Sequence, residues 1–235
     1  MMDAPLIEAR GLGKTFGAIP ILRGVNLAVP AATATMIVGR NGAGKSTLVR
    51  LLAGLSAPTA GEAMLFGAPS RTLESAARRR LAIVTHQSFL YPNLTARENL
   101  EFYAELYYVA DARAELARDI SRWLDRVGLA SAADARVRTF SRGMEQRLTL
   151  ARAMLTRPDV LLMDEPFAAL DADGVALVAD LLREAIARRR AIVLTAHQPI
   201  AIDGLEFALY EIVRGHLLPL DGRVIDAPRR AQSAG

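Results

Sequence analysis

The sequence predicts an α/β fold with a mostly parallel, covered sheet and a helical segment inserted in its middle. Strand-like apolar runs alternate with helical patterns before residue 89 and again after residue 157, which is typical of parallel sheets covered by helices. Residues 94–156 show helical patterns and few strand signals. A glycine-rich loop at residues 39–44 joins an apolar run to a helix, an arrangement that can bind phosphate.

The composition narrows the class of protein. With 235 residues, of which 51% are hydrophobic, the chain can bury a core. It has no cysteine, which excludes disulfides and thiolate metal sites. It has no run of about 18 uncharged apolar residues that could span a bilayer, and its start carries no readable secretory signal. We therefore expect a cytosolic protein.

The positive charge does not point to a nucleic acid. The net charge of +4 is small, and the arginines are interleaved with acidic residues. The clusters at residues 78–80 and 188–190 lie near predicted helix ends, where cations complement the helix dipole. We expect no nucleic-acid partner, and a membrane face with acidic lipid is the better alternative. Among the basic residues only Lys14 and Lys45 are lysine, and Lys45 ends the glycine-rich loop.

The N-terminal part is predicted to contain strands and two helices. Glycines and Pro30 divide the first thirty residues into small antiparallel strands with turns. A strand at residues 35–38 leads into the glycine-rich loop, and a helix follows at residues 45–53. A strand at residues 63–66, a helix at residues 72–80 and a buried strand at residues 81–84 complete this part.

The middle of the chain is predicted to be helical. Thr95 and Glu98 form a capping box, and amphipathic helices follow at residues 112–127 and 143–156. Strands return at residues 160–163 and 192–195, with a helix at residues 175–188 between them. We therefore expect a core and β subdomain at about residues 1–88 and 158–225, a helical subdomain at about 89–157, and a tail at 226–235.

The glycine-rich loop carries the first chemical signature. Its sequence is Gly39-Arg-Asn-Gly-Ala-Gly-Lys45-Ser46-Thr47, a P-loop pattern in which backbone N–H groups turn toward phosphate. Lys45 is expected to reach the β- and γ-phosphates, and the Ser46 hydroxyl is expected to bind Mg²⁺. The predicted nucleotide contacts of the loop are Gly39, Asn41, Gly42, Ala43, Gly44, Lys45, Ser46 and Thr47.

A strand that ends in two carboxylates supplies the second signature. The apolar residues 160–163 run directly into Asp164 and Glu165. Beside the phosphates, Asp164 can hold Mg²⁺ through water, and Glu165 can polarise the attacking water as a general base. Many buried strands end in Asp, so this pattern indicates a nucleotide site only in combination with the P-loop. Kinases, GTPases and motor ATPases all fit these two motifs.

Further motifs separate these classes. The chain contains the stretches Phe140-Ser-Arg-Gly-Met-Glu-Gln-Arg147 and Asp164-Glu-Pro-Phe-Ala-Ala-Leu-Asp171. Together with Gln87 and His197, they resemble the motifs of the nucleotide-binding subunits of ABC transporters, and the resemblance covers about residues 6 to 225. The resemblance implies a RecA-like P-loop core, a small antiparallel β subdomain and an inserted helical subdomain. It also implies an ATP hydrolase that uses Mg²⁺ and forms a homodimer when ATP binds.

The resemblance assigns roles within one subunit to three more residues. Phe16 matches the aromatic residue that stacks on adenine, with a strand core residue as the alternative. Gln87 matches the residue that links the γ-phosphate and Mg²⁺ to the helical subdomain, with an ordinary polar loop residue as the alternative. His197 matches the switch histidine that contacts the γ-phosphate. His86 and His216 are interpreted as structural.

Other residues are expected to act across the dimer. Ser141 and Gly143 match the signature loop, which in this family binds the γ-phosphate of ATP held by the partner subunit. A hydroxyl, a backbone N–H and a helix dipole together suit an anion. Asp171 matches the loop that crosses the dimer interface. The signature departs from the usual Leu-Ser-Gly-Gly-Gln at Arg142 and Met144.

The resemblance also implies a membrane partner. The chain is expected to lie in the cytoplasm on the inner face of the cell membrane, bound to integral membrane transporter subunits. A docking groove for an amphipathic helix is expected near residues 87–92 and 102–108, which are rich in Phe and Tyr, with core packing as the alternative.

The sequence of residues 86–107 suggests one branch of the family. With the variant signature, it is similar to the ATP-binding subunit of the haem exporter of cytochrome c maturation, which implies export or handling of haem. Exporters of drugs, polysaccharides and lipids share these sequence features. A non-transport ABC ATPase and a nucleotide-sensing switch are less favoured alternatives.

Overall fold

The computed structural model describes residues 4–106 and 113–220. The predicted tail at residues 226–235, two aromatic residues of the predicted docking groove (Tyr107 and Tyr108) and the predicted helix start at Ala112 lie outside the described residues. None of the helices in the described ranges is both long enough and apolar enough to span a bilayer.

A six-stranded sheet forms the centre of the described part of the chain. Its strands are β3 (Ala34–Val38), β6 (Leu81–Val84), β7 (Val160–Met163), β8 (Ala191–Ala196), β9 (Phe207–Val213) and β10 (His216–Pro219). They lie in the order β10-β9-β3-β8-β7-β6, and β10 pairs antiparallel while the others pair in parallel. Every residue of β3, β7 and β8 is buried, as expected of strands covered on both faces. The predicted α/β fold with a mostly parallel sheet is confirmed.

A smaller antiparallel sheet is formed by strands that flank β3 in the sequence. Its strands are β1 (Ile7–Phe16), β2 (Ile19–Val29), β4 (Ala60–Leu65) and β5 (Ala68–Pro69), in the order β2-β1-β4-β5. β1 and β2 are longer than the sequence predicted, because glycines such as Gly11 lie at irregularities inside the paired strands and do not end them. Such irregularities increase twist without breaking the sheet.

Six helices surround these sheets in the described ranges. They are α1 (Lys45–Leu52), α2 (Ser75–Arg78), α3 (Ala96–Glu105), α4 (Arg113–Arg126), α5 (Arg142–Leu155) and α6 (Ala172–Ala187). The predicted helix at residues 72–80 was too long: residues 70–72 form a 3₁₀ turn, and only α2 is α-helical. α1 packs in the core between the two sheets, whereas α6 covers the opposite face of the central sheet.

A helical layer formed by α3, α4 and α5 has its own apolar core. α3 begins with the predicted capping box: the Thr95 hydroxyl accepts a hydrogen bond from the Glu98 N–H, and the Glu98 carboxylate accepts one from the Thr95 N–H. α5 takes part in two cores. Leu148, Ala151 and Leu155 pack in the core of the helical layer, while Leu150 packs in the core of the central sheet.

Candidate functional site

The glycine-rich loop connects β3 to α1. Gly44 is the N-cap of α1 with φ of 106°, and a Cβ at this position would lie 3.0 Å from side-chain carbons of Ile21 and Leu22. Glycine is therefore required here both by conformation and by space. Gly44 provides no side-chain cap, and the first turn of α1 contains no acidic residue. The N-terminus of α1 thus keeps its positive potential for an anion.

Lys45 places its ammonium group inside this loop. The side chain is only 4% exposed, and Nζ donates hydrogen bonds to the carbonyl oxygens of Gly39 (2.7 Å) and Arg40 (3.3 Å). Nζ also lies 3.3 Å from Oε1 of Glu165. A buried ammonium needs oxygen partners. The loop therefore holds a charged donor in a pocket where phosphate oxygens can serve as the same kind of partner.

Two carboxylates follow β7 at the carboxyl end of the sheet. Asp164 is 5% exposed, and its Oδ1 accepts a hydrogen bond from the Thr195 hydroxyl at 2.7 Å. Glu165 adopts a positive φ of 51°, which is uncommon for a residue with a side chain. Its N–H donates to the same Thr195 oxygen at 3.0 Å. Thr195, at the end of β8, thus contacts both residues.

His197 completes a chain of charged and polar groups. Its Nε2 lies 3.0 Å from Oε2 of Glu165, so the two oxygens of Glu165 face Lys45 and His197 separately. Glu165 is 14% exposed and His197 54% exposed. The carboxylate therefore lies at the boundary between the buried lysine and the open side of the site.

Lys45, Glu165 and His197 line one open cavity of about 540 Å³, whereas the buried Asp164 is not among its lining residues. Its lining consists of Phe16, Ile21, Asn41, Gly42, Gly44, Lys45, Ser46, Thr47, His86, Glu165 and His197. Gly39 and Ala43 belong to the same loop, and Gly39 contributes the carbonyl that holds Lys45. Most of the residues that the sequence predicted to contact the nucleotide within one subunit are thus brought together.

Two positions in this cavity differ from the sequence interpretation. His86, which was interpreted as structural, is exposed and lines the cavity, whereas Gln87 is not among its lining residues. The predicted role of Gln87 stays a prediction. Phe16 is 54% exposed, which argues against the alternative of a strand core residue. The Lys14 ammonium lies 4.8 Å from the centre of the Phe16 ring and donates to the carbonyl of Ala57 at 2.7 Å.

The remaining predicted residues form a second group elsewhere on the chain. Ser141, Gly143 and Asp171 line a separate cavity of about 370 Å³, which shares no lining residue with the first. Ser141 is the N-cap of α5, and its hydroxyl accepts a hydrogen bond from the N–H of Met144 at 3.2 Å. One chain therefore carries two incomplete groups of the predicted residues.

A residue without an assigned role joins this second group. Arg147 donates a hydrogen bond to Oδ1 of Asp171 at 2.6 Å, and the N–H of Gly174 donates to the same oxygen at 2.8 Å. The Gly174 N–H, and after it Arg147, lower the pKa of the Asp171 carboxyl below its usual value. The sequence contained Arg147 within the signature stretch, but nothing local indicated its partner 24 residues away.

Comparisons with known proteins agree with this geometry. The sequence model of a family described as ABC transporter matches residues 22–168. The chain is 38% identical over 196 residues to Nod factor export ATP-binding protein I of Paraburkholderia xenovorans strain LB400, covering 83% of this chain and 64% of that relative. The chain thus spans about two thirds or less of the length of the Nod factor relatives that it matches.

Two further matches extend the comparison. The chain is 37% identical over 195 residues to the cytochrome c biogenesis ATP-binding export protein CcmA of Salmonella typhi, covering 83% of this chain and 91% of that relative. It superimposes with a TM-score of 0.80 and 26% identity on the ATP-binding cassette MJ0796, in a dimeric post-hydrolysis state bound to ADP and Pi, covering 90% of this chain and 96% of that one.

The family match, the relatives and the shared fold agree with the cavity around Lys45 and with the carboxylates that follow β7. The chain is therefore a member of the ABC transporter family and has the RecA-like P-loop fold of the family's ATPase domains.

Proposed function

We propose that this chain binds MgATP in the cavity around Lys45 and hydrolyses it to drive a membrane transporter. The observation that carries the proposal is the buried Lys45 ammonium, which lies within 3.3 Å of Glu165, while Glu165 lies within 3.0 Å of His197. A cation for the phosphates, a candidate base for water and an imidazole are thereby joined in one site. Positioning and electrostatic stabilisation supply most of the catalysis of phosphoryl transfer.

The site has the donors that Mg²⁺ requires. Ser46, a residue with a hydroxyl, lines the cavity, and Asp164 offers a buried carboxylate. Both are oxygen donors, which Mg²⁺ prefers. Two such donors suit Mg²⁺, which proteins usually bind through one or two carboxylates together with substrate phosphates and water.

Within this proposal each residue has a distinct task. When bound, Mg²⁺ would neutralise charge that develops on the phosphate oxygens. Lys45 binds and orients the β- and γ-phosphates, and Phe16 presents its exposed ring to the adenine. Glu165 accepts a proton from the attacking water. His197 contacts the γ-phosphate and holds the second oxygen of Glu165 in place.

We further propose that two copies of the chain complete each other's sites. Ser141 and Gly143 are separated from the Lys45 cavity within one chain, and in this proposal they contact the nucleotide that a partner copy holds. The structural relative MJ0796 is described as dimeric with ADP and Pi bound. ATP binding would close a head-to-tail homodimer, with Asp171 at the interface, and hydrolysis would reopen it. The core, β and helical subdomains would take the bounds given from the sequence.

The membrane partner is proposed to dock on an aromatic patch formed by Phe89, Tyr91, Phe102 and Tyr103. Phe89, Tyr91 and Phe102 are between 37% and 47% exposed, which argues against simple core packing. The rings of Tyr91 and Phe102 meet edge to face at 4.8 Å. The fully buried Asn99 fixes the patch, because its side chain accepts from the Tyr91 N–H at 2.7 Å and donates to the Tyr91 carbonyl at 3.0 Å.

This patch suits an amphipathic helix of an integral membrane subunit. The chain would then work in the cytoplasm on the inner face of the cell membrane. Phe102→Ser is expected to reduce co-purification of the membrane subunit while leaving ATP binding intact. Equal recovery of the membrane subunit with the variant and with the natural chain would argue against this surface.

For the cargo, we propose haem export or handling in cytochrome c biogenesis. The similarity to CcmA supports this choice, since the match covers 91% of that relative. The second candidate is export of another cargo, because the Nod factor export relatives are as similar at 34–38% identity. Deletion of the gene is expected to remove holo-cytochromes c while b-type cytochromes persist. Intact c-type cytochromes would reject the haem proposal and favour the second candidate.

A further inference from the structure

Thr195 has a special position in β8. It is the polar residue in the otherwise apolar strand Ala-Ile-Val-Leu-Thr-Ala, and it is fully buried. Met163 of β7 pairs with Leu194 of β8, so the next residues along these parallel strands, Asp164 and Thr195, are neighbours at the carboxyl ends. A buried hydroxyl is costly unless it forms hydrogen bonds.

The two hydrogen bonds of Thr195 fix the direction of its hydroxyl proton. The hydroxyl donates to Oδ1 of Asp164 at 2.7 Å and accepts from the N–H of Glu165 at 3.0 Å. An amide N–H can only donate, and an ionised carboxylate can only accept. The hydroxyl therefore has one arrangement that satisfies both neighbours, and each bond polarises the other.

Each bond constrains a group with a proposed task in hydrolysis. The bond to Asp164 fixes one carboxylate oxygen and with it the orientation of the whole group. The bond to the Glu165 N–H holds a residue whose φ of 51° is unfavourable for an L-amino acid. The direction of the Glu165 side chain toward Lys45 and His197 depends on that backbone conformation.

We propose that Thr195 is a positioning residue for ATP hydrolysis, whose hydroxyl holds the Asp164 carboxylate and the Glu165 backbone in one fixed arrangement. This inference rests on the proposed function of the site. It predicts that loss of the hydroxyl weakens the binding of Mg²⁺ at Asp164 and lowers the hydrolysis rate that depends on Glu165. Nucleotide binding through Lys45 without Mg²⁺ would be preserved.

The test compares Thr195→Val with Thr195→Ser in the purified full chain. Valine keeps the shape without the hydroxyl, and serine keeps the hydroxyl. Thr35→Val is the matched control, because Thr35 is 1% exposed in the neighbouring strand β3. The measurements are kcat and KM for ATP, the Mg²⁺ concentration for half-maximal activity, and the binding of a fluorescent ATP analogue with Mg²⁺ and with EDTA.

Thr195→Val is expected to lower kcat by about 10- to 100-fold, since small misplacements of catalytic groups have effects of this size. It should also raise the Mg²⁺ requirement several-fold and weaken analogue binding in Mg²⁺ but not in EDTA. Thr195→Ser and Thr35→Val should stay within about 3-fold of the natural chain. If the valine variant does not fold, the pair Thr195→Ala and Thr195→Ser gives the same comparison.

Two results would overturn the proposal. One is a hydroxyl-free variant with the kcat and Mg²⁺ dependence of the natural chain. The other is a serine variant that is impaired as much as the valine or alanine variant, because the methyl packing and not the hydroxyl would then matter. A natural chain that neither binds nor hydrolyses ATP would instead refute the proposed function.

Discussion

Replacing Glu165 by glutamine removes the charge of the side chain and leaves a neutral amide next to Lys45 and His197. In the structure the Glu165 carboxylate lies 3.3 Å from the Lys45 ammonium and 3.0 Å from His197 Nε2. A phosphate that binds Lys45 has to compete with this carboxylate. The Lys45 ammonium stays charged in the variant, so both pairs fall in the range of about 1.5–3 kcal/mol for hydrogen bonds to charged groups, with the neutral amide toward its lower end. Freeing Lys45 to bind phosphate should therefore cost about 1 kcal/mol less in the glutamine variant than in the natural chain.

This difference predicts opposite effects of Glu165→Gln on binding and on catalysis. The variant should bind ADP and a non-hydrolysable ATP analogue about 5-fold more tightly, as 1.4 kcal/mol corresponds to a factor of ten. Because the amide cannot accept a proton from water, kcat should fall by about 100- to 10,000-fold. In MgATP the variant should accumulate as a dimer.

Titration calorimetry with ADP, phosphate release and size-exclusion chromatography in MgATP measure these three effects. Glu62→Gln, a half-exposed surface residue in β4, serves as the control. Hydrolysis at the normal rate would refute the assignment of the base. Weaker binding of ADP by the variant would refute the competition between Glu165 and phosphate for Lys45.

Three other substitutions address separate features. Lys45→Ala should weaken MgATP binding by about 100-fold, because charged hydrogen bonds are lost, and unchanged affinity in titration calorimetry would contradict the phosphate role. Thr95→Ala should destabilise the fold by about 1 kcal/mol through loss of the capping box, measured as a lower urea midpoint. Asp171→Asn should destabilise the chain at pH 7. Because folding lowers the pKa of the Asp171 carboxyl, its ionised form contributes stability above about pH 4 that is lost as the pH falls further. The urea midpoints of variant and natural chain should therefore converge on acidification, and a constant difference would speak against the ionised Asp171 carboxylate, held by the Gly174 N–H and by Arg147, as the cause.

The sequence predicted the parts of the fold that depend on local patterns. The buried strands β6 and β7 have the predicted bounds, because each is a continuous apolar run between polar residues. The P-loop was recognisable because its glycines, Lys45 and Ser46 occupy a short fixed spacing between a strand and a helix. The capping box at Thr95 and Glu98 is local for the same reason.

Other features depend on contacts between distant parts of the chain. β9 and β10 were not predicted. In β9 only Leu209 and Ile212 are buried, three residues apart, which matches neither strict alternation nor a fully buried strand. The approach of Thr195 to Asp164 follows from the pairing of β7 with β8, which no spacing within the sequence reveals. The sequence did not show that His86, and not Gln87, lines the cavity, because the position of either depends on how the loop after β6 folds.

The shared helix α5 has a consequence for how the molecule can move. Its residues alternate between the core of the helical layer and the core of the central sheet, so the boundary between the two layers runs along one rigid helix. Flexible linkers normally separate units that move independently. If α3 and α4 moved relative to the sheet, they would have to slide or tilt against α5. Ser141 caps the beginning of that helix, so any such strain would reach the second group of site residues directly.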